Sequence, residues 1–126
     1  MKVITLNVRG INDPTKRITL FKWLENNHFD IICLQETFCT SESIDIVKHD
    51  WKGPSYHSTS ASKHSKGVSI LFNSSFEHKL LDIHSDNDGR KLLLNIKRND
   101  NILSIINIYS PTDEKNKKWF FNHTKS

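Results

Sequence analysis

This chain is short of the features that mark several specialised protein classes, and each shortage removes one class. It has only two cysteines, Cys33 and Cys39, too few for the disulfide framework of a small secreted domain. Cys33 lies inside an apolar run and reads as a buried small hydrophobe. None of the seven histidines stands in a His-Glu-x-x-His pattern, and the cysteine spacing matches no zinc motif. A zinc site is therefore not expected. No apolar run approaches the length of a bilayer span. The run Val3-Ile4-Thr5-Leu6 is broken at Asn7, too early for the core of a signal peptide. The expectation is an intracellular protein, nuclear or cytoplasmic, not secreted and without a membrane partner. No Walker-type loop, nucleophile elbow, internal repeat or low-complexity tract is present.

What the chain does contain is the composition of one globular domain. It has 126 residues, 36% of them apolar and 25% charged, with a mean hydropathy of −0.54. That is enough for a single modest core. Eighteen basic residues against 14 acidic ones give a net charge of +4 and a pI near 9.1. A mildly basic surface is compatible with a phosphate-rich partner.

The stretch Asp30 to Thr37 organises the rest. Its unbroken run Ile31-Ile32-Cys33-Leu34 suits a strand buried on both faces. It ends in Gln35, Glu36 and Thr37, so a carboxylate stands at the carboxyl tip of the strand, where α/β sheets place ligands and metals. Upstream, Lys2 to Val8 reads as a strand ending at Asn7. Asp13 is a helix N-cap with Pro14 at the first helical position. The helix runs to about Asn27, with Ile18, Phe21 and Leu24 as its apolar stripe. Strand, helix and strand form a βαβ unit with parallel strands. Asn7 and Glu36 then share one sheet rim.

Downstream, a short helix is expected from about Ser41 to His49, capped by Ser41, with Ile44, Val47 and Trp51 facing inward. Strands are expected at Ser55–Ser60, Gly67–Phe72 and Phe76–Ile83. Lys91–Lys97 and Ile102–Tyr109 form a hairpin around a polar turn. Thr112 to His123 reads as the opening of a helix capped by Thr112 or Asp113. The turn Asp86-Asn87-Asp88-Gly89 mimics part of a calcium loop, but His84 stands where the first Asp belongs and strands flank it. The fold class is α+β: a βαβ unit followed by antiparallel strands. The sheet is expected to lack its opposing layer and to leave an apolar face exposed, with aggregation or molten behaviour as the consequence.

Four segments occur in order: Thr5-Leu6-Asn7-Val8-Arg9-Gly10, Ile32-Cys33-Leu34-Gln35-Glu36-Thr37, Gly67-Val68-Ser69-Ile70-Leu71-Phe72 and Asn107-Ile108-Tyr109-Ser110-Pro111. With Asp88-Gly89-Arg90 they resemble the amino-terminal half of the endonuclease/exonuclease/phosphatase family. The wording Asn7 to Arg17 is similar to the apurinic-type endonuclease domain of non-LTR (LINE-type) retrotransposons. The resemblance covers the whole chain and implies a four-layer α/β/β/α sandwich, here partial. It also implies phosphodiester hydrolysis that depends on Mg2+ or Mn2+, with DNA as partner. By resemblance, Glu36 is the metal ligand and Asn7 lies beside it, orienting the phosphate or the attacking water. Tyr109 is the phosphate-contacting tyrosine. Arg9, Lys63, Lys66 and Arg90 are candidate backbone contacts. Many apurinic enzymes carry Asp two residues after the Asn, where Arg9 stands here.

The resemblance also implies a later Gly-Asp-Phe-Asn segment and a terminal Ser-Asp-His segment, and neither is found. Residues 1–126 are therefore expected to be the amino-terminal part of one domain, with little or no catalysis of their own and a parent chain that could continue into a reverse transcriptase. The alternatives are a non-catalytic nucleic-acid-binding remnant, or a phosphatase or phosphodiesterase of the same fold.

Overall fold

The structure is a computed structural model that describes residues 1–110 and the backbone of 118–125. Its elements run β1 (Val3–Asn7), α1 (Pro14–Asn26), β2 (Ile31–Gln35), α2 (Ile44–Asp50), β3 (Ser55–Ser58), β4 (Val68–Phe72), β5 (Lys79–Ser85), β6 (Lys91–Arg98), β7 (Asn101–Ile108) and β8 (Lys118–Lys125). They build two four-stranded sheets, ordered β1-β2-β4-β3 and β5-β6-β7-β8. In the first sheet β1 and β2 are parallel, while β2–β4 and β3–β4 are antiparallel. The second sheet is an antiparallel meander.

Side-chain alternation on β2 explains the layering. Ile31 and Cys33 point to one core, with Val68, Ile70 and Phe72 of β4, Leu92, Leu94 and Ile96 of β6, and Leu103 and Ile105 of β7. Ile32 and Leu34 point to a second core, with Phe21 and Leu24 of α1, Val47 of α2 and Trp51. The central strand is thus covered by helices on one face and by the other sheet on the opposite face, which is why its apolar run is continuous rather than alternating. Burial of Cys33 pushes its thiol up to about 12, so it stays a protonated apolar filler.

Several expectations are corrected here. The meander does not lack an opposing layer: its apolar face packs on β2 and β4. The other face keeps part-exposed Leu93, Ile106 and Ile108, while Leu81 and Ile83 are exposed. In α1, Ile18 is 45% exposed, and the buried stripe is Arg17, Phe21 and Leu24. Arg17 is tolerated inside because its Nε donates to Asp50 Oδ2 at 2.8 Å and its Nη1 to the carbonyls of Ile11 and Asn12 at 3.0 Å each. These bonds pair the Nε and Nη1 donors and lock α1 to the end of α2. The N-cap of α2 is Ser43, not Ser41. The segment expected to be helical ends instead in β8, antiparallel to β7. Its Trp119, Phe120, Phe121 and Thr124 are strand formers, and the edge of β7 offers them a ladder. Residues 112–117 lie outside the described residues.

Candidate active site

Asn7 and Gln35 are register partners at the ends of parallel strands β1 and β2. Glu36 is the next residue. Its backbone leaves the strand at a φ of +54°, in the left-handed region, and this turn brings its carboxylate back toward β1. Asn7 Nδ2 donates to Glu36 Oε2 at 3.1 Å. Two side chains 29 residues apart in sequence thus meet on an exposed rim, as the βαβ connection requires.

The loops around this pair are stitched together by main-chain hydrogen bonds. Gly10 N donates to Glu36 O at 2.6 Å and Ile11 N to Thr37 O at 3.0 Å. Thr37 N donates to Gly67 O at 3.0 Å and Phe38 N to Lys66 O at 2.9 Å. Gly67 N donates to Gly89 O at 2.8 Å, and Tyr109 N to Arg90 O at 2.7 Å. Four loops and the end of β7 therefore converge on one rim. Gly67 is needed there: at a φ of +91°, a Cβ would stand 2.3 Å from Thr37 Oγ1. Arg9, Glu36, Phe38 and Lys66 all adopt positive φ without being glycine, and such strain gathers where a surrounding structure holds a site in place. Lys16 contributes from α1, donating from Nζ to the carbonyls of Val8 and Arg9 at 2.6 and 3.0 Å.

Beneath the rim lies a buried polar pin that sequence reading missed. Gln35 Nε2 donates to Thr5 Oγ1 at 2.8 Å and to Asn107 Oδ1 at 2.7 Å. Asn107 Nδ2 crosses between the sheets to the carbonyls of Leu34 and Ser69 at 3.0 and 2.8 Å. Asn107 is fully buried. It ties the end of β7, and with it Tyr109 two residues on, to the strand that carries Glu36. The clue in the sequence was a polar residue at an inward position of an apolar strand, flanked by Ile105 and Tyr109.

The predicted residues divide as follows. Asn7 and Glu36 are in contact, and Tyr109 is half-buried against the intersheet core at the same rim. Arg9 follows β1 on the rim and is exposed. Lys66 and Arg90 both approach Asp88: Lys66 Nζ lies 3.3 Å from Oδ1, and Arg90 Nε 3.5 Å from Oδ2. Lys63 is an exposed residue of the β3–β4 loop.

As a cation site the pair is sparse. Glu36 offers a carboxylate and Asn7 an amide oxygen, both hard donors. Among the described residues no group of three or more His, Cys, Asp or Glu side chains gathers to hold a metal. That donor set fits Mg2+ or Mn2+, since Mg2+ keeps several waters and takes one or two carboxylates plus substrate phosphate. It does not fit a dedicated zinc cage.

Two facing sheets, helices over the outer side of the first, and a carboxylate–amide pair at parallel strand tips define an α+β sandwich with a candidate site on the sheet rim. The profile of the Endonuclease/Exonuclease/phosphatase family matches residues 4–121, and the chain belongs to that family. It is 29% identical over 123 residues to the Transposon TX1 uncharacterized 149 kDa protein of Xenopus laevis, covering 96% of this chain and 9% of that protein. Among solved structures it superposes on the APE2 catalytic domain of Xenopus laevis with a TM-score of 0.66 and 25% identity, covering 93% of this chain and 48% of that one. The AP endonuclease LMAP of Leishmania major matches in fold with a TM-score of 0.67 and 18% identity, covering 85% of this chain and 39% of that one. The chain thus spans about half the length, or less, of these relatives. Among the described residues no helix is long and apolar enough to cross a membrane.

Proposed function

We propose that this chain carries the metal-and-phosphate side of an endonuclease site that hydrolyses DNA phosphodiesters, of the retrotransposon type. The observation that carries the reading is the Asn7–Glu36 contact at 3.1 Å on the rim of parallel strands. Family membership and the likeness to AP endonucleases support it. Glu36 and Asn7 would hold a Mg2+ or Mn2+ ion, which when bound supplies charge stabilisation at a phosphoryl oxygen and acidifies a bound water.

The chain's own residues do the rest. The Asn7 amide fixes the Glu36 carboxylate by donating to it, and its carbonyl oxygen remains a hard donor. Tyr109, held at the rim by its N–H to Arg90 and by the Asn107 pin, presents a phenol for a phosphate oxygen. Arg9, Lys63, Lys66 and Arg90 bring positive charge to the backbone of a bound duplex, a sequence-independent attraction. The site has one carboxylate and one amide as its donors, so turnover by these residues alone is expected to be low.

Binding is therefore the first thing to measure. Mn2+ titrated into the protein and followed by water-proton relaxation is expected to show a site that Glu36→Ala weakens at least about tenfold. Any residual nicking of supercoiled plasmid is expected to need Mg2+ and to vanish in Asn7→Ala and Glu36→Ala. Mn2+ binding unchanged by Glu36→Ala, or metal-independent nicking, would overturn the assignment.

A further inference from the structure

The carboxylates of the turn Asp86-Asn87-Asp88-Gly89 between β5 and β6 have no role in the proposed chemistry, yet the turn is docked onto the same rim. Asp86 Oδ1 accepts from Ser58 Oγ at 2.8 Å and from the backbone N–H of Asp88 and Arg90 at 3.1 and 3.4 Å. Burial alone would raise the Asp86 carboxyl, but these donors and Lys91 outweigh it and hold the group below its ordinary range. Ser58 Oγ also accepts from Gly89 N at 3.0 Å. A Cβ on Gly89 would stand 2.6 Å from Gly67 N. The turn therefore has one seat, and that seat holds Asp88 between two cations.

Lys66 Nζ lies 3.3 and 3.5 Å from the two oxygens of Asp88, and Arg90 Nε lies 3.5 Å from Oδ2. Both cations belong to the rim by their backbones: Lys66 O accepts from Phe38 N, two residues past Glu36, and Arg90 O accepts from Tyr109 N. The contacts are longer than the 2.7–2.9 Å or so of a tight charge-assisted bond. Asp88 is half-exposed. Such a pair holds the side chains in place weakly and exchanges readily. A carboxylate between a lysine and an arginine occupies the position that a phosphate's oxygens would take.

We propose that Lys66 and Arg90 form a single subsite for a nucleic-acid backbone phosphate, and that Asp88 is its resident anion, which the duplex displaces on binding. The proposal rests on the DNA reading above and deepens it. Asp88 keeps the two cations collected and rim-facing in the free protein. It also cancels part of their charge, so binding draws on them only when a phosphate is at hand.

Fluorescence anisotropy of a labelled duplex across a salt series tests this, with thermal melts confirming that each variant folds. Asp88→Asn is expected to tighten binding about twofold to fivefold, the size of one exposed ion pair. It is also expected to steepen the dependence of log K on log salt by about one. Lys66→Ala placed on Asp88→Asn is expected to remove that gain. Salt-dependent wild-type binding that Asp88→Asn leaves unchanged or weakens would overturn the subsite alone, making Asp88 a strut. Absence of duplex binding in every variant would overturn the subsite together with the DNA reading.

Discussion

His57 lies on β3 with its ring between two hydroxyls, Nδ1 2.6 Å from Ser69 Oγ and Nε2 2.9 Å from Ser55 Oγ. Burial, and then the charge of Lys48, lower its pKa to about 3. The folded protein therefore keeps His57 neutral where the unfolded chain, near its ordinary 6.5, takes up a proton. The unfolded state binds more protons between those values, so stability is full above pH 6.5 and declines as pH falls toward 3. Urea melts across that window are expected to lose up to about 1.4 kcal/mol per pH unit from this group, and His57→Gln is expected to flatten the profile. At the same scale, Asn107→Leu leaves the Gln35 amide with one partner fewer and the carbonyls of Leu34 and Ser69 without their side-chain donor. A loss of about 1–3 kcal/mol is expected in equilibrium unfolding. Neither network was legible in the sequence. The Gln35–Asn107 contact joins residues 72 apart; strand alternation marks Asn107 as an inward polar residue but not which groups it meets across the sheets. Asn7 with Glu36 was legible, because parallel strands carry their tips to one rim whatever lies between them.

Elements whose signals are local were the easiest to read. Asp13 caps α1, its side chain accepting from Lys16 N at 2.9 Å, with Pro14 in the first turn. Even so, the buried face of α1 was displaced by a residue. Position 17 stands four and seven residues before Phe21 and Leu24, the same-face spacing, but an arginine there reads as surface, and its burial depends on Asp50, 33 residues away. The opposing layer was misjudged for a related reason: alternation along β6 and β7 shows that one face is apolar but not what covers it. The end of α1 offers a test. His28 follows the C-cap Asn27 with a φ of +56°, a conformation that costs a side-chain-bearing residue about 1 kcal/mol more than glycine. His28→Gly is expected to raise the melting temperature by a few degrees, about 1 kcal/mol at most, and a fall would show that the His28 ring contributes packing of its own.

As a whole, the molecule rests on the layer between its sheets. Leu94 is fully buried there among Ile31, Val68 and Ile105. Leu94→Ala is expected to cost about 2–5 kcal/mol, a large share of the roughly 5–15 kcal/mol available to a domain. The expected behaviour of the intact core is one cooperative transition, with coincident midpoints by near- and far-UV circular dichroism. Separated midpoints would return the chain to the molten state that a missing layer implied. The stitching of the rim carries a different consequence. Its joints are peptide N–H and C=O groups at Gly10, Glu36, Thr37, Phe38, Lys66, Gly67, Gly89, Arg90 and Tyr109, present whichever side chains those positions display. Apart from its close-packed glycines and the buried side chains that brace it from beneath, the frame is indifferent to the chemistry mounted on it. A descendant could exchange the cations at 9, 66 and 90 for other groups, and so change what it grips, without having to refold.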